Sequence, residues 1–151
     1  MSIWASMFYW EKGFMKLLLL FLVGCASMSQ GKYKKEFHLE DFKSSSAPQA
    51  LFTLLSDKMT KCYPQSDYPV FEKTIANFDD AKQVGTISYD VDNQSIGRKM
   101  LVLVEIISDS SGSLVKVYAK GDLLRSPDSF KHQIHKWIDG KKVDCDSRGQ
   151  I

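Results

Sequence analysis

The chain has 151 residues, 44% hydrophobic and 25% charged, with 20 Lys+Arg against 18 Asp+Glu. That length bounds it to one ordinary domain, and the charged fraction excludes disorder throughout. A net charge of +2 argues against a dedicated nucleic-acid binder, which carries a basic stripe.

In chain order, the first distinctive element is an apolar run from Leu17 to Val23, preceded by Lys12 and Lys16. Gly24 and Cys25 follow, and the chain then turns polar at Ser27, Ser29, Gln30 and Gly31. A basic start, a short apolar core and a small residue before a cut form the grammar of a secretory signal. The run is about half of the roughly 20 residues that a membrane-spanning helix needs.

Leu22-Val23-Gly24-Cys25 resembles the lipobox of bacterial lipoproteins. The resemblance implies that the thiol of Cys25 takes a diacylglyceryl group, that the chain is cut before Cys25, and that the new amine is acylated. The thiol is needed as the nucleophile, and a small preceding residue lets the peptidase approach the backbone. Met1, Met7 and Met15 are all possible starts, and each gives the same mature chain from Cys25. Neither Ala26 nor Ser27 is acidic, so the sorting pattern of such lipoproteins implies an outer-membrane anchor facing the periplasm. Two or three acyl chains hold a protein firmly on a bilayer.

With Cys25 assigned to lipid, Cys62 and Cys145 remain as an even pair, which in an exported domain implies a disulfide. They form no CxxC redox arrangement. The expected division is a signal peptide over 1–24, a lipidated Cys25 with a flexible tether over 25–46, and one α+β periplasmic domain over 47–151. The tether reading rests on polar composition and on Ser44-Ser45-Ser46, although Phe37, Leu39 and Phe42 could dock part of it.

Within the domain, a helix is expected from about Ala47 to Lys61. Ser46 can cap it, Pro48 suits its first turn, and Leu51, Leu55, Met59 and Cys62 form its apolar stripe. Strands are expected over 70–76, 84–92, 100–108 and 114–120, from alternation and from turn residues between them. Met100–Ser108 is apolar on both faces, as a central strand covered twice would be. A last helix starts at Ser126-Pro127-Asp128, buries Phe130, Ile134, Trp137 and Ile138, and stops at Gly140. The expected order is α-β-β-β-β-α, a four-stranded antiparallel meander with both helices on one face. The second apolar stripe of the central strand, with Leu101, Leu103 and Ile107, then needs a cover: the tether, a partner protein or an amphiphile.

Motifs for chemistry are weak. His132, His135 and Asp139 share a helix face at spacings that can bind a transition metal, but a solvated polar face is the plainer reading. Asp79, Asp80, Asp90 and Asp92 lack the order of a calcium-binding EF-hand loop. No GxSxG elbow, His-Glu-x-x-His, paired-Cys zinc pattern or Gly-rich phosphate loop occurs, so no catalytic residue is assigned. The expected function is a non-enzymatic interaction or envelope-assembly module, held to the lipid bilayer through Cys25 and binding an envelope protein. A carrier or sensor of a small amphiphile is the alternative, and an enzyme the third reading. No cofactor is expected beyond the diacylglyceryl and N-acyl lipid.

Overall fold

In a computed structural model of the chain, residues 29–63, 70–93, 97–121, 125–141 and 145 are described. The chain divides into two units, Met1–Gln30 and Gly31–Ile151. Of the first unit only Ser29 and Gln30 are described; the segment expected to be a signal peptide, the candidate start residues and Cys25 lie outside the described residues.

The second unit is α+β. Its elements, in chain order, are α1 (Gln30–Glu36), β1 (His38–Ser44), α2 (Pro48–Cys62), β2 (Val70–Asp79), β3 (Val84–Asn93), β4 (Gly97–Asp109), β5 (Gly112–Ala119) and α3 (Pro127–Ile138). The five strands form one antiparallel sheet in the order β1-β5-β4-β3-β2. The meander from β2 to β5 follows from short turns between alternating runs, because tight connections force antiparallel neighbours.

The four-strand, two-helix expectation is corrected by the segment read as a tether. Within residues 26–46, α1 and β1 are ordered elements, and β1 pairs with β5 from His38↔Tyr118 to Ser44↔Ser113. The reason is local to β1. As an edge strand it buries no residue fully, so its polar sequence HLEDFKS carries no strong apolar signal while its backbone still completes the β5 ladder.

Helices α2 and α3 pack on one face of the sheet. Leu51, Leu55 and Met59 from α2 and Phe130, Ile134 and Trp137 from α3 meet Ile87, Tyr89, Val102, Val104, Ile106, Val115 and Val117. Each of these residues is at most 2% exposed, and Val102, Val104 and Ile106 show the period of two that places alternate strand residues on one face. The start of α2 departs from expectation: Ala47 is the N-cap and no side chain caps it. The carbonyl of Ser46 instead accepts the hydroxyl of Ser113 at 2.7 Å, tying the helix entry to β5. At α3, Ser126 accepts the backbone N–H of Ser129 at 3.2 Å, and Gly140 follows the helix with a positive φ of 69°.

Candidate functional site

The face of the sheet opposite α2 and α3 is the part of the molecule that the sequence left open. Its geometry begins with a bulge. Tyr89 pairs with Val102 but Asp90 pairs with Met100, so Leu101 is the extra residue of β4. Both Leu101 and Val102 join the helix-side core, and the alternation resumes with Leu103 on the other face. The bulge thus removes Leu101 from the stripe that needed a cover.

What covers Leu103 is α1. Tyr33 is 3% exposed and clusters with Leu103 and Tyr118, with Phe37 and Met100 packed alongside. The Tyr33 hydroxyl donates to the carbonyl of Leu101 at 2.8 Å, and that carbonyl also accepts the N–H of Lys120 at 2.9 Å. The displaced carbonyl is thereby satisfied on both lone pairs. Beside this contact, the Lys34 ammonium bonds Glu105 Oε1, and the Tyr118 hydroxyl donates to Glu105 Oε2 at 2.9 Å. Glu105, which interrupts the apolar run of β4 in sequence, is therefore the anchor for a lysine of α1 and a tyrosine of β5. Ile107 is half-buried, with Leu114 opposite it on β5.

The next buried charge on this face is Asp90. Its side chain is 5% exposed, and Oδ2 accepts from Arg98 Nε at 2.9 Å and from the second guanidinium nitrogen. Asp90 Oδ1 is buried without a hydrogen-bond partner. Further out, toward the β2 edge, the face carries Phe71, 41% exposed, and the exposed Lys73. The register places them there: Lys73 lies opposite Asp90, and Phe71 opposite Asp92.

The two tyrosines of this face are poorly suited to proton transfer at neutral pH. Burial pushes the Tyr33 phenol well above its ordinary value, and burial together with the hydrogen bond to Glu105 does the same for Tyr118. Both remain protonated hydroxyls that donate, which suits them to holding α1 on the sheet. The sequence signal for this arrangement was a single aromatic, Tyr33, inside the polar stretch Gly31–Glu36.

On the helix side, Tyr63 links the two helices and the sheet. Its ring stacks on Tyr89 at 4.7 Å between centroids, and its hydroxyl donates to Gln133 Oε1 at 2.7 Å. Phe130 and Trp137 pack around the same ring, and the Arg125 guanidinium lies 4.9 Å from its centroid. The sulfurs of Cys62 and Cys145 are at bonding distance, 2.05 Å, with their Cα atoms 5.0 Å apart. This pair joins the end of α2 to the segment that follows α3.

The candidate metal residues do not converge. His132 and Asp139 are exposed, and Asp139 pairs with Lys141 at 3.4 Å. His135 turns to β1: Nε2 is 3.2 Å from Glu40 Oε2 and the ring stacks on Phe42 at 4.2 Å. Among the described residues, no three His, Cys, Asp or Glu side chains are grouped to hold a metal ion. Asp79 pairs with Lys82 and Asp90 with Arg98, so two of the four acids considered as a calcium loop are separately paired with cations. No helix of the described residues is long and apolar enough to cross a membrane. Compared with protein-family models, curated proteins and solved structures, the chain matches none.

Proposed function

We propose that the chain is a lipid-anchored lipoprotein of the bacterial cell envelope, held by acyl chains on Cys25, whose folded domain acts as a non-enzymatic interaction or assembly module. The observation that carries this reading is the run Leu17–Val23 followed by Gly24 and Cys25, with the folded unit starting only a few residues later. The Cys62–Cys145 pair supports it, because disulfides persist in oxidising compartments such as the periplasm. The outer membrane is the proposed site of anchoring, from the absence of an acid at Ala26 and Ser27. A domain fixed at a membrane gains effective concentration toward partners in the same layer. The space between sheet and helices is filled by Trp137, Phe130, Leu51, Leu55 and Met59, so the alternative role of amphiphile carrier would require these side chains to move.

Growth with radiolabelled palmitate tests the reading. Label is expected on the wild-type chain and is expected to vanish in Cys25→Ala, with loss of membrane association. Equal label in both chains refutes lipidation at Cys25. In-cell crosslinking of the lipidated protein then identifies what it contacts.

A further inference from the structure

The sheet ends in β1 on one side and in β2 on the other, and the two edges differ. β1 is seven residues long, its register breaks between His38 and Glu40, and four of its side chains, His38, Glu40, Asp41 and Lys43, are titratable. Charge, shortness and irregular register are what keep a strand edge from pairing with another chain. β2 has ten residues and pairs with β3 without a break. Its charges, Glu72, Lys73 and Asp79, leave the run from Thr74 to Phe78 uncharged, and Ala76 and Asn77 within that run are exposed.

The ladder shows which backbone groups of β2 are open. The N–H of Ser108 donates to the carbonyl of Gln83 at 3.2 Å. Bonded positions alternate in an antiparallel pair, so Gly85, Ile87 and Tyr89 also turn their N–H and C=O groups to β4. Thr86, Ser88 and Asp90 then turn theirs to Asn77, Ile75 and Lys73 of β2. Glu72, Thr74, Ala76 and Phe78 are left with N–H and C=O directed away from the sheet, a row ready to accept a further strand.

We propose that β2 pairs antiparallel with β2 of a second copy of this chain, about a two-fold axis at Thr74, which joins two five-stranded sheets into one. In that register Glu72 lies opposite Ala76 of the second copy, Lys73 opposite its Ile75, and the exposed Phe71 opposite its Asn77. No like charges face each other. An axis at Glu72 or at Lys73 would set two carboxylates or two ammonium groups directly opposite. Asp79, paired with Lys82, falls at the end of the ladder, and Asp92 and the Asp90–Arg98 pair stand one strand inside, on β3 and β4. Thr74 meets its own counterpart. Its Oγ1 is buried and has no hydrogen-bond partner among the described residues, and threonines opposite each other across strands bond hydroxyl to hydroxyl. The pairing does not depend on lipid at Cys25.

The test uses the full chain in detergent micelles at rising protein concentration, with association followed by sedimentation velocity and amide exchange by nuclear magnetic resonance. The amides of Glu72, Thr74, Ala76 and Phe78 are expected to slow about tenfold where about nine-tenths of the chain is paired, because only the unpaired tenth exchanges. Those of Lys73, Ile75 and Asn77, bonded to β3 in either state, are expected to stay as they are. Thr74→Lys puts two ammonium groups face to face and is expected to abolish the effect, while Ala76→Lys, which faces Glu72 of the second copy, keeps it. Urea midpoints check that both variants fold, and the alternation in the wild-type chain decides the matter without them. A chain that stays monomeric, or protection that rises alike in odd and even residues, overturns the proposal. So does protection that appears only when envelope extract is added, since β2 would then be pairing with a strand of another protein.

Discussion

The hydroxyl of Tyr33 and the carbonyl of Leu101, 68 residues apart in the chain, are joined by a 2.8 Å hydrogen bond. The bond fastens a seven-residue helix, too short to be stable alone, to a bulge in the central strand. Tyr33→Phe keeps the ring packing and leaves Lys120 N–H on the same carbonyl. It is expected to cost about 1 kcal/mol, the usual net worth of one such bond, seen as a lower urea midpoint. Tyr33→Ala removes the ring as well and is expected to cost about 3–5 kcal/mol, with loss of amide-exchange protection at Phe37, whose N–H bonds Tyr33 O. Unchanged protection in Tyr33→Ala contradicts this account of α1.

Asp90 and Arg98 provide an asymmetric pair. Asp90 is nearly buried and Arg98 is 58% exposed. Arg98→Ala strands a buried carboxylate and is expected to cost roughly 3 kcal/mol. Asp90→Asn leaves an arginine that water can solvate, and its cost should be distinctly smaller. Equal losses in urea unfolding of the two variants would show that the pair does not act through burial of its acid.

Gly112 closes the β4–β5 turn with φ +142°, and a Cβ there would lie 2.2 Å from the carbonyl oxygen of Ser44. The close approach is backbone to backbone, so no side-chain rotation relieves it. Gly112→Ala is expected to push the end of β1 off β5, lowering stability by more than the ~1 kcal/mol typical of a backbone substitution. Amide exchange that rises in β1 before the other strands would locate the damage.

The same corner carries a pH dependence. Lys43 of β1 lies 3.0 Å from Asp109, and its hydrogen bond, with help from the N–H of Ser110, holds that carboxyl below its ordinary value. A carboxyl lowered in the folded state contributes fully above the ordinary carboxylate range and loses its contribution as pH falls through the lowered value. In Lys43→Ala the Asp109 carboxyl should titrate closer to the ordinary value by nuclear magnetic resonance. A titration curve that does not move would deny the contact in solution.

Cys62 and Cys145 are 83 residues apart, so their bond constrains most of the unfolded domain. Removing it, as in the double variant Cys62→Ala/Cys145→Ala, is expected to cost roughly 4 kcal/mol by loop-closure entropy. Thiol alkylation with and without reductant checks the premise, and urea unfolding checks the magnitude. A variant as stable as wild type contradicts the entropic argument.

Much of the helix-side half of the fold was legible because its signals are local. Leu51, Leu55, Met59 and Cys62 repeat at helical spacing, and Ser126, Pro127 and Gly140 mark the bounds of α3 within a residue or two. The strands over 84–93 and 112–119 announce themselves by alternation, and Asp109 to Gly112 by turn chemistry. The elements that were not legible depend on distant partners. β1 exists because β5 offers it an open edge, and α1 because Leu103 and Tyr118 offer Tyr33 a place to bury. The helical spacing of His135 carries no sign of its neighbours Glu40 and Phe42, which come from a strand that the polar composition of its segment hides. The expectation for Cys25 rests on its sequence context alone, and the residue lies outside the described residues.

The pairing of β1 with β5 also sets an order in time. The chain is made from its amino terminus, so α1 and β1 emerge before any other described element and yet have no partners until β4 and β5 have followed them. The meander from β2 to β5 can zip neighbour by neighbour, while the opening segment must wait and then close a loop of about 70 residues, the kind of distant contact that slows folding. The first-made part of this domain is thus among its last to be seated.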